Sequence, residues 1–150
     1  MAKQNLKQII SAEYTRCAKD PVYFMKKYCM IQHPTRGKIH FNLYQFQERA
    51  LDEFANNDYN IILKSRQLGI STLSAGYSLW SMLFNEDFNV LVIATKQDVA
   101  KNLVTKVRVM HEYLPSWLKG NTIEDNKLSL RFANGSQVKA VSAAGDAGRS

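Results

Sequence analysis

Cysteine is scarce. The 150-residue chain has two, Cys17 and Cys29, twelve positions apart and outside any CxxC spacing. That spacing excludes a disulfide framework and leaves two reduced, buried thiols, the pattern of a cytosolic protein. The three histidines, His33, His40 and His111, form no ligand spacing, so zinc or catalytic-thiol chemistry has little support. No apolar run approaches the roughly eighteen residues of a membrane-spanning helix. The first ten residues carry Lys3, Gln4, Lys7 and Gln8 where a signal peptide would need an unbroken apolar stretch. Internal repeats and low-complexity tracts are absent. The expectation is a protein that is neither secreted nor membrane-spanning.

What is present suits one globular domain: 45% of residues are hydrophobic and 11% aromatic. A chain of this length buries roughly 68–70% of its unfolded surface, enough for a core without staples. Twenty Lys and Arg against 13 Asp and Glu give a net charge of +7, spread over both halves of the chain. Such a diffuse positive field suits a polyanionic partner such as DNA. Lys96, Lys101, Lys106, Arg108 and Lys119 are candidate phosphate contacts, although each taken singly reads more naturally as part of a solvated helix face.

Apolar spacing at Leu6, Ile9, Ile10 and Cys17 predicts a helix over 4–18, and Asp20-Pro21 caps and starts a second through Tyr28. These form an N-terminal helical adaptor within residues 1–40, ahead of a body over 41–150. Pro34 and Gly37 place a loop or small hairpin at 29–41. A helix over 44–56 precedes a compact apolar run, Asn60-Ile61-Ile62-Leu63, of the kind found in a strand buried on both faces. A helix over 70–85 and a strand over 88–94 complete a βαβ unit. A further helix spans 97–114, and alternation around Asn134-Gly135 predicts an antiparallel hairpin over 128–141.

Chemistry concentrates where the expected strand at 60–64 meets the helix at 70. Lys64-Ser65-Arg66-Gln67-Leu68-Gly69-Ile70-Ser71-Thr72 sits where a phosphate loop of the form G-x-x-x-x-G-K-[ST] would lie, its helix amides holding phosphates and its hydroxyl ligating Mg²⁺. Aligning Gly69 with the second glycine puts Ser71 at the hydroxyl, Lys64 at the first glycine and Ile70 at the lysine. The match is degenerate by letters, and a plain strand-to-helix turn capped by Ser65 or Ser71 is the competing reading. Lys64 or Arg66 can bring the missing charge from the other side of the loop. Tyr44-Gln45, twenty positions upstream, adds an amide able to read an adenine edge, whereas Gln45 or Gln47 alone is more often a solvated helix residue.

Tyr44-Gln45, the Ser65-Arg66-Gln67-Leu68-Gly69-x-Ser71-Thr72 loop and Ile93-Ala94-Thr95-Lys96 together resemble the N-terminal ATPase domain of the large terminase subunit, the DNA-packaging motor of tailed phages. The resemblance covers about residues 41–150. It implies a P-loop ATPase of the ASCE, RecA-like kind: a parallel sheet flanked by helices, here incomplete at its C-terminal end, with an added β-hairpin and N-terminal helices. It also implies ATP and Mg²⁺ as cofactors, Gln45 at the adenine, Ser65 to Thr72 around the phosphates, Ser71 at the metal, Arg66 at the γ-phosphate and Lys64 in place of the loop lysine. The implied partners are double-stranded DNA, a portal protein and a small terminase subunit, and the implied place of action is the cytoplasm of an infected bacterial host. The hairpin at Asn134-Gly135 and the Gly148-Arg149-Ser150 segment also look like family features.

The family's aliphatic run ending in Asp-Glu, which positions Mg²⁺ and the attacking water, is not found. Asp87, Asp98, Asp125 and Asp146 follow no such run, and the coupling motif and nuclease domain are absent too. The chain therefore reads as the front part of a terminase, expected to bind ATP without hydrolysing it. Two readings stay beside it: a helicase-like ATPase, which would normally keep Gly and Lys in the loop, and a non-catalytic module docking DNA or protein. Strand edges at 61–63 and 90–93 are expected to pair with each other or to seek a second copy of the chain through the sheet edge or the hairpin.

Overall fold

The computed structural model describes residues 2–33 and 35–143. Gly148-Arg149-Ser150 and Asp146 lie outside the described residues. Helix α1 (Ala2–Lys19) turns sharply into α2 (Pro21–Tyr28), because Asp20 caps α2 with its carboxylate on the Tyr23 amide at 2.9 Å and Pro21 opens the helix. Glu13 fastens the pair by accepting from Tyr23 Oη, Lys27 Nζ and Tyr28 Oη at 2.6–2.7 Å. These helices share the core of the rest of the chain: Cys17, Phe24, Met25 and Cys29 are fully buried in one cluster with Leu73, Leu79 and Met82. Burial pushes both thiols well above the ordinary cysteine range, so they are inert packing groups.

A hairpin follows. Strands β1 (Met30–His33) and β2 (Gly37–His40) pair antiparallel, with Gly37 in the left-handed region. Next come α3 (Gln45–Asn56), α4 (Ile70–Phe84), β3 (Asn89–Ala94) and α5 (Gln97–Glu112), close to the spans that apolar spacing predicts. Strands β4 (Thr122–Asp125), β5 (Ser129–Phe132) and β6 (Gln137–Ser142) end the described chain. Asn134 and Gly135 form the expected turn between β5 and β6, Gly135 at a φ of +85°.

The main sheet has the order β3-β6-β5-β4. Leu130, Phe132, Val138 and Ala140 alternate onto one face and are buried with Val104, Val107 and Met110 of α5. On the other face Leu91 and Ile93 are exposed, as are Arg131 and Lys139. Helix α4 packs against α5 and reaches the sheet at β6. Its first turn thus sits beside α5, β1 and the start of α3.

Two expectations need correction. The sheet is mixed and mostly antiparallel, not a parallel P-loop sheet: only β3 and β6 run parallel, while β6–β5 and β5–β4 are antiparallel. The strand expected at 60–64 does not form, and it does not pair with 90–93 either. Apolar, β-branched composition makes a segment fit for a sheet, but a strand exists only through backbone pairing, and residues 59–65 have no sheet partner among the described residues. Ile61 and Leu63 stand 99% and 101% exposed as a result. The βαβ unit therefore does not close through this segment, and the parallel neighbour of β3 is β6, reached through α5 and the β4–β5 hairpin.

Candidate functional site

The loop from Lys64 to Gly69 enters α4 through two left-handed residues, Gln67 at φ +62° and Gly69 at φ +72°. Gly69 is the N-cap, and its carbonyl accepts from the amides of Thr72 (3.0 Å) and Leu73 (2.9 Å). The amides of Ile70 and Ser71 come before the first helical hydrogen bond, so they point out of the helix with the positive end of its dipole. A non-glycine residue at positive φ, such as Gln67, is uncommon and marks a loop held in shape by its surroundings.

The group holding that shape is Gln47. It is 2% exposed on α3, donates from Nε2 to the Leu68 carbonyl at 3.0 Å, and accepts on Oε1 from the Tyr44 amide at 3.0 Å. The second bond is the reciprocal half of a capping box, so one amide both starts α3 and ties it to the loop. Packing is close here: a Cβ built on Gly69 would lie 2.7 Å from Gln47 Nε2. Glycine at 69 is thus required twice, by the backbone angle and by the neighbour.

Beside the loop lies an open cleft of about 510 Å³. Tyr44, Gln47, Gln67, Leu68, Gly69 and Thr72 line one side, and the β1–β2 hairpin closes the other with Gln32, His33 and Arg36 among its residues. Tyr44 is 68% exposed and stacks on Phe46, with ring centroids 5.7 Å apart and planes within 8°. No Asp or Glu lines the cleft among the described residues.

The sequence-derived candidates fall as follows. Tyr44, Gln67, Leu68, Gly69 and Thr72 come together at the cleft, with Ser71 exposed on the first turn of α4 next to them. Ile70 is half-buried and packs on the core. Ser65 and Arg66 are exposed on the loop, and Lys64 folds back so that Nζ donates to the Ser65 carbonyl at 3.2 Å. Gln45 is exposed and does not line the cleft. Residues two apart on a helix face nearly opposite ways, so only one of Gln45 and Gln47 can reach the loop, and it is Gln47.

Among the carboxylates, Asp125 pairs with Arg108 at 2.5 Å, Glu124 accepts from Asn126 at 2.8 Å and from Ser129, and Asp98 lies in the first turn of α5. No group of three or more His, Cys, Asp or Glu is placed to hold a metal ion among the described residues. Of the five basic candidates for DNA, three are engaged: Arg108 with Asp125, Lys119 with the Glu112 carbonyl at 3.0 Å, and Lys106 with Thr72 Oγ1 at 2.7 Å. Lys96 and Lys101 have no hydrogen-bond or ion-pair partner among the described residues.

Two residues matter more than their sequence signal suggests. Gln47 announces itself only by standing three positions after the N-cap Tyr44. Lys106 lies 34 positions from its partner Thr72, so no local pattern reveals it.

No protein-family profile matches the sequence. Among solved structures, the chain is similar to the crystal structure of the HK97 bacteriophage large terminase, with a TM-score of 0.67 at 20% sequence identity over 85% of this chain. The match spans 28% of the length of that terminase chain. No helix of the described residues is long and apolar enough to cross a membrane. Over most of its length the chain therefore shares the fold of part of a phage large terminase.

Proposed function

We propose that this chain is the nucleotide-binding part of a DNA-packaging ATPase, with ATP·Mg²⁺ held between the loop at 64–72 and the cleft beside Tyr44. The observation that carries the reading is the start of α4. There a left-handed glycine, fixed by a buried amide from another helix, leaves the Ile70 and Ser71 amides open at a helix N-terminus. That arrangement suits phosphate oxygens.

The residues divide the work by reach. Arg66 is exposed and has no partner among the described residues, which would let it meet the terminal phosphate; Lys64 would exchange its weak bond to the Ser65 carbonyl for a phosphate oxygen. The Ser71 hydroxyl would supply one oxygen to Mg²⁺, with phosphates and water for the rest, as this ion commonly prefers. Tyr44 rests one face on Phe46 and offers the other to a base. Exposed Gln45 would have to turn its amide towards that base, and Gln47 couples the base side of the cleft to the loop.

Among the described residues no carboxylate lines the cleft to orient water, which supports a reading in which this chain by itself would bind ATP without turning it over. In the assembled motor the partners would be double-stranded DNA, a portal protein and a small terminase subunit, in the cytoplasm of the infected host. DNA contact through Lys96 and Lys101 would be insensitive to base sequence and steeply salt-dependent.

Isothermal titration with a non-hydrolysable ATP analogue and Mg²⁺ tests the reading. Binding that weakens in Arg66→Ala and Lys64→Ala supports it. No heat at millimolar ligand, with a folded protein, contradicts it.

A further inference from the structure

The loop carries isoleucine where a phosphate loop places its lysine, and Ile70 is turned into the core. A second cation nevertheless reaches the same turn of α4. Lys106, on α5, brings Nζ to 2.7 Å from Thr72 Oγ1. It does so at the wall of a cavity of about 260 Å³ between β1 and α5, lined by Met30, Ile31, Gln32, Val109 and Met110 besides Thr72 and Lys106. Thr72 also lines the nucleotide cleft, as do Ile31 and Gln32, so the two spaces share a wall.

An ammonium has three donors, and here one is answered by a neutral hydroxyl. No carboxylate bonds or pairs with Lys106 among the described residues. Burial holds its pKa below the ordinary lysine value. A half-buried cation without an anion is incompletely compensated, and an anion arriving at the N-terminus of α4 would complete it.

We propose that Lys106 is a phosphate-binding lysine of the nucleotide site, supplied across the helix pair from α5 in place of the side chain missing at position 70. The inference rests on the nucleotide reading above and deepens it. The phosphate chain is then gripped from two sides, by Lys64 and Arg66 from the loop and by Lys106 from the neighbouring helix. Thr72 serves as its resting partner until a phosphate oxygen takes the bond.

The test compares AMP with a non-hydrolysable ATP analogue, each with Mg²⁺, on the wild type, Lys106→Met, Lys106→Arg and Arg66→Ala. Lys106→Met is expected to weaken the triphosphate roughly tenfold, the loss of one charge-assisted hydrogen bond, and AMP much less, with Lys106→Arg restoring most of the affinity. Triphosphate binding by Lys106→Met within twofold of wild type, while Arg66→Ala is weakened, would overturn the role of Lys106 and leave the nucleotide site standing. If the wild type binds neither nucleotide, both fail together. A measurement on the wild type avoids any folding defect: acetylation of Lys106, followed by mass spectrometry, should slow several-fold at saturating triphosphate analogue. An unchanged rate would refute the contact.

Discussion

Replacing Gln47 by methionine keeps the length and unbranched shape of the side chain and removes both of its hydrogen bonds. Each such bond contributes about 1 kcal/mol net, so the loss is about 2 kcal/mol. It stays near that level because Leu68 is 37% exposed and water can reach its carbonyl once the amide has gone. For a chain of this size that corresponds to a fall of about 4–8 °C in Tm. Gln47→Glu separates the two bonds: the carboxylate still accepts from the Tyr44 amide but cannot donate to the Leu68 carbonyl, so it should lose loop anchoring while keeping the start of α3. Gly69→Ala attacks the same contact from the other side, placing a methyl 2.7 Å from Gln47 Nε2 at a backbone angle that L-residues avoid. Urea unfolding gives the stability change, and limited proteolysis of the loop reports its anchoring. Gln45→Met is the control and should stay within about 0.5 kcal/mol of wild type, as exposed substitutions generally do. If Gln47→Met were equally neutral, and the loop no more readily cut, the amide would not be the anchor.

Three further outcomes are expected. The bonds from Lys27, Tyr23 and Tyr28 hold the Glu13 carboxyl at about 2, below its ordinary 4.5, so its contribution is present above pH 4.5 and lost as pH falls towards 2. Urea midpoints across that window should drop less steeply in Glu13→Gln than in wild type. Burial holds His111 below its ordinary 6.5 despite its bond to the Gly120 carbonyl, so stability declines as pH falls below 6.5, and His111→Gln should flatten that part of the profile. Light scattering should show concentration-dependent association of the chain through the exposed Ile61 and Leu63 or the face bearing Leu91 and Ile93, reduced by Ile61→Lys with Leu63→Lys; a strict monomer at all concentrations would refute it.

The helices were legible because their signals are local. Asp20-Pro21 and the apolar spacing of α3, α4 and α5 each fix an element within a few residues. Asn134-Gly135 was equally plain. The segment at 60–64 misled because composition reports fitness for a sheet, and pairing depends on what else lies beside it. Strand β4 gave no signal at all, since Thr122 to Asp125 are all exposed and do not alternate. The loop at 64–72 is marked in the sequence by its glycine and its place before a helix, and both features are there in the fold. The contacts that shape it were not: Gln47 and Lys106 act across 21 and 34 positions, and only the packing of α3 and α5 against α4 brings them there.

Whether the first turn of α4 receives phosphate is decided by following its amides by NMR as ATP·Mg²⁺ is titrated into the protein. Phosphate binding there should give saturable shifts at Gly69, Ile70, Ser71 and Thr72, with smaller ones at Tyr44 and at the Gln47 side-chain amide. Little change is expected in the distant turn at Asn134-Gly135. Titration to millimolar ligand that left the Gly69 to Thr72 amides unmoved in a folded protein would contradict it.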